Sequence, residues 1–262
     1  MDLGLKDKVA LVAAASKGLG RAAAMELARE GAKLVILARS ERIDATADEI
    51  RKQTGVDVLP IRADLTQPDQ IDSAVRQALE RFGRIDILIL NAGGPPPGSF
   101  LTLKPTDWEA AYQLTFMSAV RLCHAVVPHM VERGSGSIVS TQSYTIKQPM
   151  ANLILSNALR LAVVGLMKSL ADELGPKGIR VNTINPAWTS TDRVEQLMAD
   201  RAKRAGTTPE QEAAKAASEI PLGRMGTVEE YGRAIAWLAS PAASFIHGHA
   251  LLFDGGAART PL

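Results

Sequence analysis

The stretch VALVAAASKGLGRAAA, residues 9–24, decides the fold. An apolar run leads into a turn that contains Gly18 and Gly20, and small apolar residues then continue at helical spacing. Glycines between a strand and a helix allow a tight bend, and the first amides of the helix can then hold a pyrophosphate. We therefore predict a dinucleotide-binding turn here, with a purely structural turn as the alternative.

Similar apolar runs recur along the chain and lack polar alternation, as expected of strands that are buried on both faces. They lie at 33–38, 56–61, 85–90, 136–141, 179–184 and 250–254. Helical patterns lie between them, at 18–30, 41–53, 68–82, 105–131, 150–174 and 227–239. Repeated strand–helix–strand units predict one α/β domain over 1–262, a Rossmann-type doubly wound parallel sheet.

Residues 188–222 do not follow this pattern. The segment is charged and rich in alanine, and it leaves the predicted sheet after Pro186. Its length predicts a small helical lid over the substrate, since such excursions commonly carry substrate contacts. A solvated surface insertion is the alternative.

Composition excludes several classes of protein. A net charge of +2 is too small to indicate binding to nucleic acid or to an acidic membrane. The sequence begins without an apolar leader, so we expect no signal peptide, and we find no apolar run as long as a membrane span. The single cysteine, Cys123, fits a reducing cytoplasm. The spacing of His124 and His129 places them on different helix faces, so we predict no metal site.

The end of the second predicted strand indicates which dinucleotide binds. A carboxylate there would favour NAD(H), whereas an arginine accommodates the 2′-phosphate of NADP(H). This chain has Arg39 at that point, and Lys17 lies inside the glycine loop. We therefore favour NADP(H) and keep NAD(H) open, the alternative being that both side chains are ordinary solvated charges.

Five motifs spaced along the chain match one family. Its glycine loop, T-G-x-x-x-G-x-G, falls on 13–20, and its acidic residue after the third strand falls on Asp64. Its N-A-G element falls on 91–93, its P-G-x-x-x-T segment on 186–191, and its closing FDGG on 253–256. On these motifs the chain resembles the short-chain dehydrogenases/reductases over nearly its whole length. It looks most like the branch of bacterial 3-oxoacyl-(acyl-carrier-protein) reductases and sugar-alcohol dehydrogenases.

The resemblance implies a seven-stranded sheet, a cofactor across the carboxyl ends of the strands, and a homotetramer or homodimer that pairs the alanine-rich segments 108–130 and 150–174. Ala14 stands where the family has glycine, which matters only if its φ is positive; we expect cofactor binding to survive. The cofactor contacts implied are Ala14, Ser16, Lys17, Gly18, Leu19, Gly20, Arg39, Ser40, Asp64, Leu65, Asn91, Ala92, Gly93, Arg160, Pro186, Ala187, Thr189 and Thr191.

The family's catalytic set of asparagine, serine, tyrosine and lysine is mostly replaced. Alignment through 166–182 places these positions on Thr115, Ser143, Ser156 and Arg160, so that only the serine matches. A serine hydroxyl is a far weaker acid than a phenol, and a guanidinium does not titrate in the working range. Arg160 keeps a positive charge and could bind ribose hydroxyls, but Ser156 is a poor substitute for the phenol.

Tyr144 and Lys147 offer a different proton donor. Both follow Ser143 directly in the sequence STQSYTIK. We hypothesise that Tyr144 donates the proton and that Lys147 depresses the pKa of Tyr144. In the alternative, Tyr144 packs under the lid and Lys147 is solvated.

Three functions remain open. The first is an NADP(H)-dependent oxidoreductase with a rearranged proton donor, acting on a small or acyl-type carbonyl or alcohol. The second is a cofactor-binding pseudoenzyme or NADPH sensor, and the third is a non-redox elimination or epimerisation on the same scaffold. We rank the oxidoreductase first because the cofactor loop, Ser143 and a lid occur together.

Overall fold

A computed structural model describes residues 2–260 and contains one seven-stranded sheet. Every neighbouring pair of strands is parallel, in the order β3-β2-β1-β4-β5-β6-β7, which confirms the doubly wound prediction. The strands are β1 (Val9–Val12), β2 (Lys33–Ala38), β3 (Val58–Arg62), β4 (Ile87–Leu90), β5 (Gly136–Thr141), β6 (Ile179–Pro186) and β7 (Ala250–Phe253).

Nine α-helices of the described residues connect and cover these strands. They are α1 (Gly18–Arg29), α2 (Arg42–Thr54), α3 (Pro68–Phe82), α4 (Pro105–Tyr112), α5 (Ser118–Arg133), α6 (Ile154–Leu174), α7 (Asp192–Ala205), α8 (Pro209–Ser218) and α9 (Val228–Ala239). Aliphatic residues from both faces of the sheet pack into two large clusters, one on each side. This two-sided burial is why the strand sequences lack polar alternation.

The strand order reverses between β1 and β4, and this reversal positions the functional site. From β1 the chain winds outward to β3 on one side, and from β4 it winds to β7 on the other. The loops that follow β1 and β4 therefore diverge at the carboxyl edge of the sheet and leave a crevice between them. Ligands of open α/β sheets bind in this kind of crevice.

Two long helices differ from their predicted spans. The predicted helix 105–131 contains a π-helical turn, Gln113–Met117, between α4 and α5. The predicted helix 150–174 begins only at Ile154, because Asn152 has a left-handed φ of 59° that a continuous helix does not allow. Periodicity of apolar residues does not register such local changes of winding.

The same helices correct the prediction that the chain has no apolar stretch of membrane-spanning length. The helical segments Pro105–Arg133 and Ile154–Lys177 are long and apolar enough to cross a membrane, by length and composition alone. In the fold, α5 packs on α3 and α6 packs on β6, as helices of a sheet layer do. Their other faces remain uncovered in the single chain, with Leu161 of α6 half exposed.

The predicted lid segment folds into two helices. α7 and α8 pack on each other and on Trp188, around a third, smaller apolar cluster that also contains Met198, Ala216 and Ile220. Threonine side chains cap both helices, since Thr191 Oγ1 accepts from Val194 N and Thr208 Oγ1 accepts from Gln211 N. The segment is therefore a packed helical layer of its own rather than an irregular insertion.

Candidate functional site

A cavity of about 550 Å³ occupies the crevice at the carboxyl edge of the sheet. It extends from the loop after β1, past the ends of β2 and β3, to the segments after β5 and β6. The predicted residues on its wall are Ala14, Ser16, Lys17, Gly18, Leu19, Arg39, Ser40, Asp64, Leu65, Asn91, Ala92, Gly93, Ser143, Tyr144, Ser156, Arg160, Pro186, Ala187, Thr189 and Thr191. Gly20 and Lys147 are the two predicted site residues that do not line it.

The glycine loop is held by close backbone contacts. Gly18 has a left-handed φ of 55°, and so does Ala14, with a φ of 51°. A Cβ at Gly20 would overlap the carbonyl oxygen of Ala14 and lie 2.7 Å from Asn91 Nδ2. The absence of a side chain at Gly20 therefore lets α1 approach the loop closely, and its predicted contact with the cofactor stays a prediction.

The start of α1 fits a bound pyrophosphate. Lys17 precedes the helix with an extended backbone, and no side chain of the described residues caps the helix. The amides of the first turn therefore lack a protein acceptor, and their dipoles favour an anion in front of them. The uncapped amides and the close approach that Gly20 allows therefore fit a bound dinucleotide.

The adenosine end of the cavity carries one exposed cation. The side chain of Arg39 is 83% exposed, and its Nη1 lies 3.8 Å from Asp64 Oδ2. Hydrogen bonds from the amide and hydroxyl of Thr66 are the main cause that lowers the pKa of Asp64, so this carboxylate is held ionised by its own turn. Because its contact with Asp64 is long and its side chain is exposed, Arg39 keeps hydrogen-bond donors available for a phosphate at the end of β2.

Lys17 is directed elsewhere. Its Nζ lies 3.3 Å from Asp192 Oδ2 at the first residue of α7. In this structure the side chain turns toward the lid helix, and the role of Lys17 beside Arg39 at a 2′-phosphate stays a prediction. The ion pair joins the glycine loop to α7, and a methyl group of Thr191 also lies 3.8 Å from the Cβ position of Gly18.

Ser156 and Arg160 form a hydrogen-bonded pair at the opposite end. They lie one turn apart on α6, and Arg160 Nε donates to Ser156 Oγ at 3.2 Å. Arg160 Nη1 also donates to the carbonyl oxygens of Thr141 and Gln142, at 3.3 and 3.1 Å. Burial is the main cause that lowers the pKa of Arg160, to about 10, so the guanidinium is charged at neutral pH.

Ser143 and Tyr144 form the wall beside this pair, whereas Lys147 does not. Ser143 Oγ accepts from Thr145 N at 3.2 Å and begins a 3₁₀ turn, Tyr144–Ile146. Tyr144 is buried, and burial raises the pKa of its phenol. Lys147 is exposed at the far end of the turn and is not a cause of that shift. The prediction that Lys147 depresses the pKa of Tyr144 is therefore wrong.

The position that aligns with the family's asparagine lies in an irregular part of a helix. Thr115 lies inside the π-helical turn, and its buried Oγ1 has no hydrogen-bond partner among the described residues. π-Helical turns often occur at functional sites. Thr115 lines a small cavity of about 10 Å³ together with Arg160 and Asn91, so a hydroxyl stands behind Arg160 where the family has an amide.

The sequence reasoning missed a charged residue of the site that lies on the lid side. Arg193, the second residue of α7, lines the cavity and donates from Nη2 to Pro95 O at 2.7 Å. It joins the start of the lid to the loop after β4. No motif marks it, because its place in the site depends on how the lid helix folds back over the crevice.

Comparison with known proteins agrees with this geometry. A family model described as enoyl-(acyl carrier protein) reductase matches residues 13–258. The 3-oxoacyl-[acyl-carrier-protein] reductase FabG of Thermotoga maritima is 32% identical over 253 residues, covering 96% of this chain and 98% of that protein. L-Sorbose reductase of Gluconobacter frateurii, solved with NADPH and L-sorbose, superposes with a TM-score of 0.94 at 32% identity, covering 99% of this chain and all of that one.

A third similarity is to a variant of actinorhodin polyketide ketoreductase, solved with NADPH. It superposes with a TM-score of 0.93 at 29% identity, covering 97% of this chain and 98% of that one. The fold, the glycine loop and these similarities together define the class. The chain belongs to the short-chain dehydrogenase/reductase family, in its 3-oxoacyl-(acyl-carrier-protein) reductase-like branch.

Proposed function

We propose that this protein is an NADP(H)-dependent oxidoreductase that interconverts a carbonyl and an alcohol through a rearranged catalytic site. The observation that carries the proposal is the single cavity that joins the glycine loop and Arg39 to the polar group of Ser143, Ser156 and Arg160. Similar proteins are reductases solved with NADPH, which supports the choice of cofactor. NAD(H) is the second candidate.

Different residues of the cavity would contact different parts of the dinucleotide. The first amides of α1 would hold the pyrophosphate, and Arg39 would bind the 2′-phosphate. Asp64 and Leu65 border the adenine, and the 91–93 loop follows the ribose side. Thr189 and Thr191 border the nicotinamide, although Thr191 Oγ1 already accepts from Val194 N in capping α7. When bound, the dinucleotide supplies the hydride that reduces the carbonyl carbon.

Arg160 and the two serines stabilise the oxygen of the substrate. Reduction of a carbonyl leaves an alkoxide, which fixed donors and a nearby positive charge stabilise. Because Ser156 Oγ accepts from Arg160 Nε, the serine hydroxyl is free to donate its own proton into the cavity. Ser143 provides the second hydroxyl. The guanidinium of Arg160 supplies the charge that lysine supplies in the family.

Tyr144 donates the proton in this proposal. It is the one tyrosine on the cavity wall among the described residues, and a phenol is the strongest acid of the hydroxyls there. Its raised pKa keeps it protonated, and therefore able to donate, at neutral pH. Lys147 has no part in the reaction, since it lies outside the cavity.

Substrate and assembly follow from the surroundings of the site. Trp188, Val194 and Leu197 give the lid side an apolar wall suited to a small or acyl-type carbonyl. The uncovered apolar faces of α5 and α6 pair with other copies of the chain, in a homotetramer or homodimer. A cytoplasmic location is part of the proposal and agrees with the single cysteine, and the small net charge gives no support to a nucleic-acid or membrane partner.

Turnover of NADPH with a panel of ketones, aldehydes and alcohols tests the proposal. Tyr144→Phe should lower kcat on an accepted carbonyl by about 100-fold or more, the usual contribution of a general acid. Tyr112→Phe is the matched control, because Tyr112 stacks on Phe116 outside the cavity and should keep the wild-type rate. Equal rates for wild type and Tyr144→Phe would remove Tyr144 as the donor. NADPH binding without turnover of any compound would instead support the sensor.

A further inference from the structure

The charges on the cavity wall are unbalanced at its catalytic end. Among the residues that the structure describes, the charged ones on the cavity wall are Lys17, Arg39, Arg160, Arg193, Asp64 and Asp192. Both carboxylates have a cation beside them, since Asp192 pairs with Lys17 and Asp64 lies near Arg39. Within residues 2–260, no carboxylate lies within 4.0 Å of a guanidinium nitrogen of Arg160 or Arg193. These two cations therefore have no carboxylate within ion-pair distance, and the carboxylate that acts on Arg193 from farther away is Asp200.

Arg193 is partly buried against the loop after β4. Its Nη2 donates to Pro95 O at 2.7 Å, and its Nε lies 3.2 Å from the position that a Cβ of Gly94 would take. A guanidinium has five N–H donors, and one acceptor engages only a small part of them. Burial is the main cause that lowers the pKa of Arg193, and the attraction of Asp200, which lies beyond ion-pair distance, opposes it only in part.

Arg160 approaches the same region from α6. Its Nε and Nη1 are engaged by Ser156 Oγ and by the carbonyl oxygens of Thr141 and Gln142, while its Nη2 has no partner among the described residues. After burial, the charge of Arg193 is the next cause that lowers the pKa of Arg160. The two guanidiniums therefore repel one another across the cavity, and an anion held between them would remove that repulsion.

We propose that the substrate carries a carboxylate, which binds to Arg193 and Arg160 while its carbonyl lies beside Ser143 and Ser156. The planar fork of a guanidinium matches a carboxylate in two parallel hydrogen bonds. This inference rests on the proposed oxidoreductase function and narrows its substrates to oxo acids and the corresponding hydroxy acids. The cofactor's pyrophosphate is the competing anion, but the free amides of α1 already provide its site.

Binding and turnover of acids and their esters test the proposal. Acetoacetate, levulinate and pyruvate are each compared with their methyl esters, by calorimetry on the protein saturated with NADP⁺ and by NADPH consumption. We expect at least one acid to bind at least tenfold more tightly than its ester. Arg193→Gln should abolish that preference, and Arg193→Lys should keep part of it, since charge remains without the fork. Arg204→Gln, at an exposed position of α7, is the control and should keep it.

The outcomes separate this inference from the function on which it rests. Acids that bind through Arg193 but are not reduced would overturn the oxidoreductase and leave the anion site standing. Esters that bind and are reduced as well as their acids would overturn the anion site and leave the oxidoreductase standing. If Arg193→Gln weakens NADPH binding as strongly as carboxylate binding, Arg193 serves the cofactor's pyrophosphate and the proposal fails.

Discussion

Replacement of Gly20 by alanine tests how the glycine loop works. The added carbon would overlap Ala14 O and crowd Asn91 Nδ2, so α1 and the loop must separate. Overpacking of this kind costs about 1–3 kcal/mol, and the higher helix propensity of alanine returns about 1 kcal/mol. We expect a net loss of about 0–2 kcal/mol, which lowers Tm by at most roughly 8 °C in a chain of this size. NADPH affinity should fall at least tenfold, because the displaced loop no longer presents its amides correctly.

Gly232→Ala provides the matched comparison. Its new Cβ would lie 2.7 Å from another backbone carbonyl oxygen, Ala22 O, where α9 packs against α1 away from the cavity. Thermal unfolding should show a similar loss of stability for both variants, whereas calorimetry should show weakened NADPH binding for Gly20→Ala alone. If Gly20→Ala binds NADPH as tightly as wild type, the loop is not the phosphate site and the reasoning is refuted.

Three other predictions concern single groups. Ala14→Gly should raise the free energy of unfolding by about 0.5–1 kcal/mol. A φ of 51° strains alanine by more than the greater flexibility of glycine in the unfolded chain costs. A urea titration that shows no gain in stability would contradict this. Arg39→Asp should shift the ratio of NADP⁺ to NAD⁺ affinity toward NAD⁺ by about tenfold or more, and an unchanged ratio would count against the 2′-phosphate site. The pKa of Tyr144 is raised and that of Arg160 is about 10, so both groups stay protonated at neutral pH. The reduction rate should therefore be constant from about pH 6 to 9 and fall at higher pH. A rate that falls with a midpoint near neutral pH would indicate another proton donor.

The sequence predicted the sheet well because its signal is local. Each buried parallel strand is a short apolar run, and β1 followed by a glycine turn leaves few alternatives. Only the ends of the strands moved, as at β3, where the run 56–61 became Val58–Arg62. Pro60 lies within that strand and is tolerated because β3 pairs on one side only.

The side chains of the site were harder to predict because their directions depend on distant elements. Lys17 was assigned to a phosphate by its place in the loop, yet its partner is 175 residues away on α7. Lys147 was assigned to Tyr144 by proximity in sequence, yet the 3₁₀ turn directs it to solvent. Arg193 carried no signal at all. The catalytic assignment of Ser143, Tyr144, Ser156 and Arg160 stays a prediction.

The contact between Lys17 and Asp192 has a consequence for how the entrance responds to ionic strength. Both side chains are 52% exposed, and water-facing pairs of this kind contribute at most about 1 kcal/mol and weaken as salt is added. Two other contacts hold α7 in place: the apolar packing around Trp188 and the hydrogen bond from Arg193 to Pro95 O. Salt weakens neither of them much, because one is apolar and the other has an uncharged acceptor. We therefore expect α7 to keep its position at high salt. Weaker dinucleotide binding at high salt should then come from screening of the attraction between the cofactor's phosphates and the protein, rather than from movement of α7.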